Sequence, residues 1–168
     1  MNPRTPLPSF HIHDSVLQAS RRVFQDSRGL FRRHEGIVYW AGRQCRGDWL
    51  VTTCIAPHAR TTPGSFKTSA SANATVVTSI NAAGLELIAQ VHSHPGGFID
   101  HSDGDSRGAL MPYEGFLSII VPNYGCREMW PLTQCGVHRF ESGRFRRLSS
   151  GDVEAMFRLV HSLIDLRR

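Results

Sequence analysis

Lysine is almost absent from this chain. Lys67 is the only one among 19 basic residues, and the rest are arginine. The base composition of a GC-rich genome accounts for that bias. The arginines come in ones and twos (Arg21-Arg22, Arg32-Arg33, Arg146-Arg147, Arg167-Arg168), and no dense basic block forms. The net charge of +5 is therefore read as a solvated surface, and no specific nucleic-acid partner is expected. Long apolar runs are also lacking: none approaches the roughly 18–20 residues of a membrane helix. The start, Met1-Asn2-Pro3-Arg4-Thr5-Pro6, is not followed by the apolar stretch of a signal peptide. A cytoplasmic protein without a membrane partner is expected. Cysteine is scarce, and Cys45, Cys54, Cys126 and Cys135 form no C-x-x-C pair. That excludes a zinc ribbon and a thioredoxin-type redox motif, and leaves reduced, mostly buried thiols.

What is present suits one folded domain. The chain has 168 residues, 40% hydrophobic and 20% charged, enough for a single core. Residues 1–11 read as an extended, proline-rich lead-in, and 12–168 as the domain. Asp14 is expected to cap a helix running to about Ser27. Gly36–Ala41 and Trp49–Ile55 are β-branched and aromatic, and read as a strand hairpin. Ala56–Phe66, with Pro57, Pro63 and Gly64, reads as an irregular loop. Ser69–Ala83 looks helical, with Gly84 as its stop. Leu85–Val91 is a strand that delivers His92-Ser93-His94-Pro95. Phe116–Val121 reads as a central buried strand, and Leu132–Leu148 as a hairpin turning at Ser142-Gly143. Ser149 and Asp152 form a capping box before a last helix. Its stripe is Val153, Met156, Phe157, Val160, Leu163 and Ile164. This order predicts an α/β (α+β) fold, a mixed sheet with helices against it.

Chemistry concentrates between His92 and Asp105. His92 and His94 are two apart at a strand end, so both imidazoles leave the same face. Two neutral imidazoles on one side are a ready pair of zinc ligands. Pro95 ends the strand, and Gly96-Gly97 let the chain turn back. A carboxylate further on can then close the site, leaving a fourth tetrahedral position open, as in catalytic zinc sites. Asp100, Asp103 and Asp105 all compete for that third place by spacing, with His101 as a fourth candidate.

The pattern H-S-H-P, six residues, then S-x-x-D, with a glutamate upstream before a strand, resembles the JAMM signature of the JAB/MPN metalloprotease family. It is carried here by His92, His94, Pro95, Ser102 and Asp105, with Glu35 upstream. The resemblance implies the MPN/JAB (cytidine-deaminase-like) fold, with one catalytic Zn2+ held by His92, His94 and Asp105. It implies Glu35 as general base and Ser102 as hydroxyl donor to the oxyanion. It also implies, for the bacterial deconjugase-like branch, an isopeptidase that cuts a ubiquitin-like modifier after its C-terminal glycine. The expected partners are that modifier, its conjugates, and activating and conjugating enzymes of the same operon, including antiviral ones. Trimming of a sulfur-carrier protein or small peptide, and a non-catalytic scaffold role, stand as alternatives. The segment from His58 to about Ser71 is the expected wall of a substrate groove. Phe66 and Phe98 are read first as core residues.

Overall fold

A computed structural model describes residues 8–28, 31–102, 104–105, 110 and 112–162. Its elements are β1 (Phe10–His13), α1 (Asp14–Asp26), β2 (Ile37–Cys45), β3 (Asp48–Ile55), β4 (Ala59–Thr62), β5 (Ser65–Thr68), α2 (Ala70–Ala82), β6 (Glu86–Ser93), β7 (Leu117–Val121), β8 (Gly136–Glu141), β9 (Arg144–Arg147), α3 (Ser150–Met156) and β10 (Phe157–Val160). One eight-stranded sheet runs in the order β10-β1-β3-β2-β6-β7-β8-β9, and β4-β5 form a separate hairpin. The sheet is mixed: β1 is parallel to both β10 and β3, β6 is parallel to β7, and the other neighbours are antiparallel. The expected α/β architecture, a mixed sheet with helices on it, is what forms. No helix among the described residues is long and apolar enough to cross a membrane.

The two faces of the sheet bury different amounts. Val38, Trp40, Val91, Leu117, Ile119 and Val121 point into the larger core, beneath α1 and α3. Ile37, Tyr39 and Ala41 point the other way, into a smaller core with Val76 and Ile80 of α2. β7 is buried along its whole length, which is why its sequence is an almost unbroken apolar run. Ser20 interrupts the apolar stripe of α1 for a reason that lies outside the helix. Its hydroxyl is buried, donates to Val16 O at 2.7 Å and accepts the Trp40 indole N–H at 2.8 Å.

Four expectations are corrected. The loop expected over Ala56–Phe66 contains the β4-β5 hairpin; Pro63 and Gly64 are its turn, not a sign of disorder in the strands. The last helix ends at Met156, and Phe157–Val160 switch to strand. β1 offers an open edge, Phe157 stacks on Phe10 with ring centroids 5.2 Å apart, and this pairing outweighs the helical periodicity. Leu163 and Ile164 lie outside the described residues. Phe10 and His11 belong to the sheet as β1, so the extended lead-in merges with the domain earlier than expected; residues 1–7 are outside the description. Finally, His13 rather than Asp14 is the cap of α1, its Nδ1 accepting the Ser15 N–H. The other elements lie within a few residues of their expected bounds.

The metal-loop segment after β6 rests directly on β8. A Cβ built on Gly136 would stand 1.8 Å from Ile99 O, so only glycine lets the loop lie this close. Gly136→Ala is therefore expected to displace the loop and cost about 1–3 kcal/mol of stability, as overpacked sites do. Urea unfolding of the variant checks this.

Candidate metal centre

β6 sits third from neither edge but in the middle of the sheet, between β2 and β7. Its last residues carry the chemistry. His92 and His94 both present Nε2 to one point, 3.1 Å apart. Asp105 reaches that point from the following loop, with Oδ1 3.1 Å from His92 Nε2 and Oδ2 3.5 Å from His94 Nε2. Three donors at zinc-like bond lengths of roughly 2.0–2.1 Å in a tetrahedron are separated by about 3.3–3.4 Å. The trio thus has the spacing that one small ion requires, and all three side chains are buried. Two imidazoles and one carboxylate leave a fourth position for water.

The described candidates for the third place go to different places. Asp100 turns outward to Arg147. His101 turns to the sheet, its Nε2 3.0 Å from Ser118 Oγ and its ring stacked on Phe145. Asp103 lies outside the described residues. Asp105 alone among those described joins the two histidines. Ser102 holds it there: the Ser102 hydroxyl and N–H both donate to Asp105 Oδ2, at 2.7 and 2.8 Å, while the Asp105 N–H donates back to Ser102 Oγ at 3.2 Å. This is a reciprocal cap with Ser102 before the turn and Asp105 in it. The hydroxyl hydrogen expected to serve an oxyanion is here engaged with the carboxylate.

The backbone around the trio is pinned from three sides. The His94 N–H donates to Val121 O at 2.9 Å, and His94 O accepts the Tyr124 N–H at 2.9 Å. Gly96, at φ +63°, makes the reversal that brings its carbonyl to the Asn123 N–H at 2.7 Å. Glu35 precedes β2, on the opposite neighbour of β6. Ser93 Oγ accepts the Gly36 N–H at 2.9 Å, which ties that entry to the metal strand. The Glu35 N–H donates to Thr62 O at 2.9 Å, and Tyr124 Oη donates to Pro63 O at 2.7 Å, so the β4-β5 hairpin is bound to both sides of the site. None of these hairpin ties had a sequence signal beyond the residues' polarity.

A cavity of about 320 Å³ opens here, lined among others by Glu35, Phe66, His94, Phe98, Ser102 and Asp105. A larger one of about 430 Å³ lies between α1 and Trp130, but among the described residues no comparable ligand set faces it. Phe98 is 57% exposed and stacks on His94 with planes 3° apart, so it is cleft wall and not core. Phe66 packs partly against the smaller core, and its ring lies 5.1 Å from that of His92.

The charges in the cleft perturb one another. Burial pushes the Glu35 carboxyl up to about 7; His94 pulls it down less than burial raises it, and Asp105 adds to the rise. Burial also opposes the charge on Asp105, but hydrogen bonds from His92, His94 and Ser102 outweigh it and hold the carboxyl far below the usual range. Burial holds His92 below the ordinary imidazole value. For His94 burial acts in the same sense, but Asp105 and Glu35 prevail and raise it. A carboxyl raised toward neutrality in the cleft that the trio lines has the property a general base needs.

No protein-family model matches the chain. A search of curated proteins finds the probable metalloprotease y4jG of Sinorhizobium fredii, 31% identical over 113 residues, which are 65% of this chain and 68% of the relative. The chain belongs to the same metalloprotease family. Among solved structures, protein DSY2949 from Desulfitobacterium hafniense superposes with a TM-score of 0.65 at 16% identity, over 92% of this chain and 94% of the other. It shares the fold. AF2198, a JAB1/MPN domain protein from Archaeoglobus fulgidus, superposes with a TM-score of 0.49 at 14% identity, over 90% and 98% of the two chains.

The Glu35 shift has a consequence for the metal-free protein. Its carboxyl is raised in the fold, so folding favours the protonated form. The associated penalty is absent below about pH 4.5 and complete above about pH 7. Glu35→Gln is expected to stabilise the metal-free chain at pH 8, by on the order of 1–3 kcal/mol, and to leave it unchanged at pH 4. Urea unfolding in chelator at the two pH values checks the sign.

Proposed function

We propose that this metalloprotease is a JAB/MPN-type zinc isopeptidase that releases or processes a ubiquitin-like modifier after its C-terminal glycine. The observation that carries the reading is the buried trio of His92, His94 and Asp105 at ion-binding spacing, with Glu35 lining the same cleft. Zinc suits two imidazoles and a carboxylate with one open position. When bound, the ion supplies a Lewis acid that polarises the scissile carbonyl and makes water easier to deprotonate.

The residues do the rest. Glu35 takes a proton from the attacking water as its oxygen bonds to the carbonyl carbon. It gives that proton to the leaving amine nitrogen as the carbon–nitrogen bond breaks. Ser102 first keeps Asp105 oriented; rotation of its hydroxyl from Asp105 toward the substrate would let it serve the oxyanion. Phe98 and Phe66 line the cleft and give it apolar wall. The β4-β5 hairpin falls inside the segment expected as the groove wall. It is a two-stranded sheet among the described residues, so an extended modifier tail can add to its edge by main-chain hydrogen bonds.

Partners in this reading are the modifier, its conjugates, and activating and conjugating enzymes encoded alongside, in an antiviral or related setting within the cytoplasm. Trimming of a sulfur-carrier protein is the second reading; the same cleft and tail geometry supports it. A scaffold role is disfavoured by the complete donor set and the poised Glu35. Glu35→Gln is expected to lower cleavage of a modifier-precursor panel by about 10²–10⁴-fold while zinc stays bound, as loss of a general base does. Near-normal cleavage by that variant, or cleavage of free short peptides only, would overturn the isopeptidase reading.

A further inference from the structure

Beneath the metal centre a row of polar side chains crosses four strands. Tyr39 of β2 pairs in register with Gln90 of β6, Gln90 with Ser118 of β7, and Ser118 with His138 of β8. All four are buried, and they lie one register step from His92 on the same face of the sheet. Ser118 is engaged by His101. Gln90 has no solvent exposure, and neither its Oε1 nor its Nε2 has a hydrogen-bond partner; Tyr39 Oη and His138 Nδ1 lack one as well, but Gln90 alone in the row leaves both ends of its side chain unpaired. A buried carboxamide of this kind is rare, because an unpaired amide is costly.

His92 has the matching need. Its Nε2 faces His94 and Asp105, so in a ligating imidazole the proton resides on Nδ1. Ligating histidines nearly always donate that second N–H to an acceptor, which fixes the ring and raises its basicity. His94 has such a contact, Nδ1 to Phe98 O at 3.2 Å. His92 Nδ1 is buried and has none. Of these orphaned groups, Gln90 and His92 share one strand and one face, two residues apart.

We infer that Gln90 is the positioning residue for His92. Its Oε1 accepts the Nδ1–H, directly after a side-chain rotation or through one internal water of the kind that commonly bridges buried polar groups. This holds the His92 ring so that Nε2 points at the ion. The inference rests on the metal reading above, and metal affinity separates the two. The probe is zinc alone, titrated against a chromogenic chelator, with the full chain.

Gln90→Leu is expected to weaken zinc binding by about 10–100-fold, the usual loss when such a partner is removed. Gln90→Glu keeps the acceptor and is expected to bind zinc at least as tightly as the wild type. The melting temperature of metal-free Gln90→Leu is expected to be equal or higher, since an unpaired amide has become apolar. A merely structural role would move affinity and melting temperature down together. Wild-type affinity in Gln90→Leu would overturn the inference while leaving the metal reading intact. Failure of the wild type to bind zinc would overturn the metal reading itself. Should Gln90→Leu not fold, Gln90→Met, unbranched and of similar length, carries the same expectation and the same contrary outcome.

Discussion

Three buried donors meet at one point, and the surrounding fold can be understood as what holds them there. Two imidazoles and a carboxylate would not remain clustered in a protein interior without compensation, because burial opposes every charge they carry. Compensation comes from neighbours. Ser102 gives two hydrogen bonds to Asp105, Phe98 O takes the Nδ1 of His94, and β2 and β7 fix the strand end from both sides. A metal ion of charge +2 is the natural completion of such a set.

The β4-β5 hairpin is tied to both sides of the cleft. Thr62 O accepts the N–H of Glu35 itself, and Pro63 O accepts the hydroxyl of Tyr124, whose own N–H binds His94 O. Asn123 and Tyr124 both adopt positive φ, a conformation that non-glycine residues hold only when their surroundings impose it. In the proposed reading, a tail that pairs with the hairpin presses on the entry to Glu35 and on the turn behind His94 at once.

Much of this was legible in the sequence, and what was not has physical causes. His92 and His94 follow from strand alternation, because a spacing of two keeps both rings on one face. Asp105 was one of several local candidates, and only the S-x-x-D spacing from Ser102 distinguished it. The fold explains that spacing as a reciprocal cap. Glu35 carried no local signal, since a glutamate before a strand is ordinarily a surface charge; its burial arises from the hairpin packed over it. β4 and β5 were hidden by Pro63 and Gly64, and β10 by an amphipathic stripe that matches a helix equally well. In both cases long-range pairing decided the outcome, and short windows of sequence do not contain the partner strand. Gln90 is the same lesson at the level of one residue: nothing near it announces that its amide is buried on the strand face that carries His92.

Among the described acids, Asp105 stands with His92 and His94 and Asp100 does not. The most direct measurement is bound metal per chain in the wild type, Asp105→Ala and Asp100→Ala after zinc loading and removal of free ion. The wild type and Asp100→Ala are predicted to retain about one equivalent and Asp105→Ala almost none, as a site reduced to two protein ligands does. Full retention by Asp105→Ala, or failure of the wild type to hold zinc, would contradict the account.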